Sequence, residues 1–102
     1  MLNELTHEMF EPLVGKPFRL HVGDGKAIEV ELIQASRLPA YGGRNGAPAA
    51  REPFSLLFRG PTGFVLPQRM YALEQEPLGR VEIFLVPIGP DEVGQRYEAV
   101  FN

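Results

Sequence analysis

The sequence predicts a mainly β domain: a small antiparallel barrel or strongly curled sheet of 5–7 short strands with a short N-terminal helix. Three observations carry that prediction. Short segments alternate apolar and polar residues, as half-buried strands do. The 11 glycines and 10 prolines among 102 residues cut the chain into pieces too short for long helices. Helical spacing is confined to the start, where Leu2, Leu5, Met9 and Leu13 recur three and four residues apart.

The composition sets limits. A hydrophobic fraction of 44% is enough for one core, so the whole chain, 1–102, reads as one all-β domain. No apolar run approaches the roughly 18 residues of a membrane helix. The acidic start Met1-Leu2-Asn3-Glu4 is no secretory signal, and with no cysteine the expectation is a cytoplasmic protein. A net charge of −3 is a poor lure for nucleic acid, which is an unlikely partner on this ground.

The elements follow in order. The leucine spacing predicts one short helix or two helical turns over about 3–14, capped by Thr6 or Asn3, with His7 facing solvent and Glu11-Pro12-Leu13-Val14-Gly15 forming a second short turn with proline at its first position. Phe18, Leu20 and Val22 alternate with Arg19 and His21, and after Gly23-Asp24-Gly25 the chain returns through Ile28, Val30 and Leu32. A three-residue loop pairs Val22 with Lys26, Leu20 with Ile28, Phe18 with Val30 and Arg19 with Glu29, so that apolar faces apolar and plus faces minus.

Phe54, Leu56 and Phe58 predict a further strand, ended by Gly60-Pro61-Thr62-Gly63. A second hairpin joins Met70–Glu74 to Val81–Val86, with Leu73 opposite Val81, Tyr71 opposite Ile83 and Glu74 opposite Arg80. Pro87 is expected to stop that strand, and Tyr97–Phe101 to form the last one. Ile33, Leu57 and Phe84 place apolar residues on both faces, which a flat sheet with one wet face would not favour; closure into a barrel explains them.

Only the stretch over about 37–52 lacks a period. It holds Arg37, Arg44 and Arg51 with no acid between Leu32 and Arg51, so it predicts a flexible basic arm. Arg37, Tyr41, Arg44, Asn45 and Arg51 are its candidate partner-binding residues.

Reactive constellations are missing. Neither His7 nor His21 has companions at metal-ligand spacing, and Ser36 and Ser55 lie outside any nucleophile turn. Glu29, Glu31, Glu74 and Glu82 alternate with apolar residues as a solvated strand face does. No catalytic residue, cofactor or metal is assigned, and the balance leans away from an enzyme.

The segments Leu66-Pro67-Gln68 before Tyr71, Ile83-Phe84-Leu85-Val86-Pro87-Ile88-Gly89 and Tyr97-Glu98-Ala99-Val100-Phe101-Asn102 resemble a family of small, uncharacterised bacterial proteins, a domain of unknown function. The resemblance covers most of the chain and is best from Pro53 onward. It implies a gene neighbourhood beside phage-tail-like proteins, and with it an assembly or accessory role. It supplies no catalytic residue or cofactor.

Two functions follow as expectations. The first is a non-enzymatic protein-interaction or assembly module that binds a protein partner or itself. The alternative is a small-molecule-binding barrel or minor enzyme whose interior pocket is lined by Phe54, Phe58, Arg59, Gln68, Tyr71 and Phe84.

Overall fold

A computed structural model describes residues 5–39 and 52–101. Six strands follow a short helical start: α1 His7–Phe10, a 3₁₀ turn Glu11–Leu13, then β1 Pro17–Gly23, β2 Lys26–Arg37, β3 Phe54–Gly60, β4 Arg69–Gln75, β5 Gly79–Pro90 and β6 Gln95–Phe101. They close into an antiparallel barrel in the order β1-β2-β3-β6-β5-β4.

The helical start is two short turns, as one of the two expected forms has it, over 7–13. Pro12 sits in the first turn of the 3₁₀ segment, where a missing N–H is harmless, and the chain leaves α-geometry there. Once the helix breaks, the leucine spacing no longer marks one face. Phe10 is fully buried with Leu5 and Leu13, while Met9 is 40% exposed. Thr6 caps α1 through its carbonyl, which accepts from Met9 N–H, and its side chain makes no capping bond. His7 is buried instead of facing solvent: Nε2–H donates to the Ala35 carbonyl at 3.2 Å, and the ring lies edge-on to Phe54.

The hairpin registers agree with the sequence. Arg19↔Glu29, Leu20↔Ile28 and Phe18↔Val30 pair in β1–β2, and Glu74↔Arg80, Leu73↔Val81 and Tyr71↔Ile83 in β4–β5. The first turn differs. Gly23, not Val22, pairs with Lys26, and Val22 is a bulge. The loop is thus Asp24-Gly25 alone, with φ of 54° and 72°, the two left-handed residues a tight primed turn requires. The bulge absorbs the odd residue and keeps apolar opposite apolar.

Two strands are longer than expected. β2 reaches Arg37 because Ile33 is extra at a bulge between Leu32 and Gln34, which explains its break in the alternation. β5 runs through Pro87 to Pro90. Its ladder with β4 ends at Arg69↔Leu85, so beyond that point β6 is its one neighbour and a residue without an N–H fits the vacant edge.

The registers also show an internal two-fold relationship. Rotation about an axis through the Leu20↔Leu73 pair and the Leu57↔Glu98 pair exchanges β1 with β4, β2 with β5 and β3 with β6. It carries the pair Phe18↔Val30 onto Tyr71↔Ile83 and places one bulge in each long strand. The halves differ mainly where β2 meets β3: that connection spans 38–53, while β5 and β6 are joined by 91–94 alone.

Inward residues of all six strands fill the barrel. Leu20, Leu32, Phe54, Leu56, Phe58, Leu73 and Leu85 are fully buried, and Phe18 meets Phe58 edge to face at 5.5 Å. One end is covered by Phe10 against Phe54 and Phe101, which stack at 4.5 Å. At the other end two tyrosines pin the β3–β4 connection. Tyr97 Oη accepts from Leu66 N–H, and the Tyr71 hydroxyl donates to the Pro67 carbonyl.

Candidate interaction surface

With the lumen filled, the chemistry available to other molecules lies on the outer wall. Four charged residues form a row across β2, β1, β4 and β5: Glu29, Arg19, Glu74 and Arg80 are successive cross-strand partners of alternating sign. His21 Nε2 lies 2.9 Å from Glu74 Oε1, and this hydrogen bond holds the Glu74 carboxyl below the usual carboxylate range. The His21–Glu74 contact spans the β1–β4 junction, and all of these groups are solvent-screened.

Arg59, a candidate pocket residue, points outward. Its Nε and Nη2 donate to Asp91 Oδ2 at 2.9 and 2.8 Å, and Asp91 Oδ1 accepts from Val93 and Gly94 N–H. These bonds, the arginine's foremost, depress the Asp91 carboxyl far below its ordinary value. The cluster fastens the β5–β6 turn to β3 and is structural.

Arg37 is likewise occupied within the chain. It donates to Glu8 at 2.9 Å and to Glu52 at 2.5 Å, tying α1 to both stems of the long connection, and Leu38 N–H donates to the Pro53 carbonyl beside it. Tyr41, Arg44, Asn45 and Arg51 lie outside the described residues.

The six residues expected to line an interior pocket do not form one. Phe54, Phe58 and Tyr71 are packed in the core, Arg59 and the exposed Gln68 face away from it, and Phe84 is 46% exposed on the outer wall. Phe84 goes outward because its pairing partner, Met70, follows the parity set by the inward pair Tyr71↔Ile83.

That parity produces the main feature of the wall. Met70, 54% exposed, pairs directly with Phe84, and Val100 on β6 is 52% exposed, so adjacent strands β4, β5 and β6 each present a large apolar side chain to solvent. Val86, half-buried, follows Phe84 on the same face of β5. Sequence reading missed Met70 and Val100 as surface residues; the register of the second hairpin already held the signal for Met70.

A second feature is a groove of about 490 Å³ where β4 passes the start of β1. Pro17, Phe18 and Ile28 give it an apolar side, and Glu29, Glu74 and Glu76 an acidic one. Arg19 is the single cation of its lining. Gln75 also lines it, and its Oε1 is buried with no hydrogen-bond donor.

Among the described residues there is no cluster of three or more His, Asp or Glu that could hold a metal, and no helix is long and apolar enough to cross a membrane.

A family model described as a domain of unknown function (DUF6916) matches residues 5–101. The chain belongs to this family. The match takes in every strand of the barrel together with α1, so the family unit is the whole six-stranded structure. No curated protein and no solved structure matches the chain.

Proposed function

We propose that the barrel is a non-enzymatic, cytoplasmic protein-interaction or assembly module whose outer wall over β4, β5 and β6 docks onto an apolar face of a protein partner. The observation that carries this reading is the outward set Met70, Phe84 and Val100 on three neighbouring strands. Each of these side chains is about half exposed, so burying the remainder against a partner contributes about 1 kcal/mol each. An accessory subunit of a phage-tail-like structure is one assembly such a wall would suit.

Affinity capture from a lysate of the source cells tests it. The wild-type protein retains a partner or a second copy of itself, and Phe84→Glu releases it while leaving the far-ultraviolet circular dichroism unchanged. Equal capture by the wild type and by Phe84→Glu overturns the reading.

A further inference from the structure

The arginines of the second half are used within the fold. Arg59 donates to Asp91, and Arg96 Nε donates to the Gly89 carbonyl at 3.2 Å. Arg69 lies over the Tyr71 ring and donates to the Val22 carbonyl, and Arg80 faces Glu74 across the β4–β5 ladder. Two glutamates beside the apolar wall are left over. Glu82 is exposed two residues before Phe84 on the same face of β5, and the half-buried Glu98 holds the same place before Val100 on β6. Their cross-strand partners are Ala72 for Glu82, and Val86 and Leu57 for Glu98, so no cation faces either. Neither carboxylate has an ion pair among the described residues. Along β5, Glu82 thus borders Phe84 on one side, and Glu98, opposite Val86, borders it on the other.

We propose that the partner seated on this wall is an amphipathic helix whose apolar stripe is bordered by lysine or arginine, and not a second copy of the chain. The inference rests on the interaction reading above and names the chemistry of the partner. From β4 to β6 is two strand spacings, roughly 10 Å, which is the width of one helix. Such a helix sets its apolar stripe over Met70, Phe84 and Val100, and its basic borders against Glu82 and Glu98. Two copies meeting wall to wall would bring four carboxylates into one contact with no free cation to offset them. The same carboxylates repel phosphate, which disfavours nucleic acid on this face.

The test is an NMR titration of the ¹⁵N-labelled full chain with a capped peptide of two Leu-Lys-Lys-Leu-Leu-Lys-Leu repeats. Two controls replace every lysine by glutamate, or every leucine by serine. The lysine peptide shifts the amides of Met70, Glu82, Phe84, Glu98 and Val100 and binds about tenfold more tightly than the glutamate peptide. The serine control, basic but without a stripe, gives no saturable shift at the wall. Glu82→Gln combined with Glu98→Gln retains the folded spectrum and removes the preference for lysine over glutamate. No shift at the wall, shifts centred elsewhere, or a lysine preference that survives the double variant overturns the proposal. Equal binding of the lysine and glutamate peptides at the wall refutes the basic partner alone and leaves the docking wall standing. Capture unchanged by Phe84→Glu removes the wall itself.

Discussion

Gly94 packs against the backbone of Gly60 so closely that a β-carbon on Gly94 would overlap the Gly60 carbonyl oxygen and stand 3.2 Å from Arg59 Cγ. Backbone atoms cannot swing aside as a flexible side chain would. Gly94→Ala therefore forces the β5–β6 turn off β3, at about 2–4 kcal/mol, read as a lowered urea midpoint with an unchanged slope.

The same turn makes stability depend on pH through Asp91. Its carboxyl is held below the ordinary value chiefly by the hydrogen bond from Arg59, then by the Gly94 and Val93 N–H groups. A depressed folded pKa means that the charged form stabilises the fold above the unfolded value of about 4, and that this contribution is lost as pH falls below it. The urea midpoint of the wild type drops on acidification from about pH 5 to pH 3, and Asp91→Asn, weaker at pH 7, shows a shallower drop.

Tyr97 links the core to the connection above it. Its ring is 1% exposed and its oxygen accepts from the Leu66 N–H at 3.0 Å. Tyr97→Phe leaves that buried donor without an acceptor, which costs about 1–3 kcal/mol in equilibrium unfolding.

The long β2–β3 connection has its stems fastened by Arg37 to Glu52 and by Leu38 to Pro53, while the equivalent link in the other half is the short turn 91–94. The barrel topology thus closes without the extra length. Deleting Gly42 through Ala49 leaves the unfolding free energy within about 1 kcal/mol of the wild type, the scale on which loop-closure entropy changes with length. A loss of cooperative unfolding would show that the segment belongs to the fold.

How much of this was legible in the sequence depended on the range of the interaction. Within a hairpin the partner lies a few residues away, so charge and apolar pairing decided the register of Leu73 against Val81, and barrel closure was inferred from strands apolar on both faces. Pairing between β1 and β4 joins Leu20 to Leu73 across about half of the chain, and no local pattern encodes it. The same limit hid His7: its burial comes from the carbonyl of Ala35 and the ring of Phe54, both placed by the fold. Phe84 was misread as an interior residue because the apolar run from Ile83 to Val86 conceals its parity, which only the partner strand reveals. The requirement for glycine at position 94 was invisible for the same reason, since it is set by Gly60 on another strand.

The apolar wall remains the central claim, and Phe84 is its test point. Replacing Phe84 with the photoreactive p-benzoylphenylalanine keeps an aromatic ring on the wall, and irradiation in the source cells then records what touches it. The wall reading predicts a discrete covalent adduct with one protein or with a second copy, and none from the same probe at the exposed Glu31 on β2, on the opposite part of the barrel order. No adduct at Phe84, or the same adducts from both positions, would contradict it.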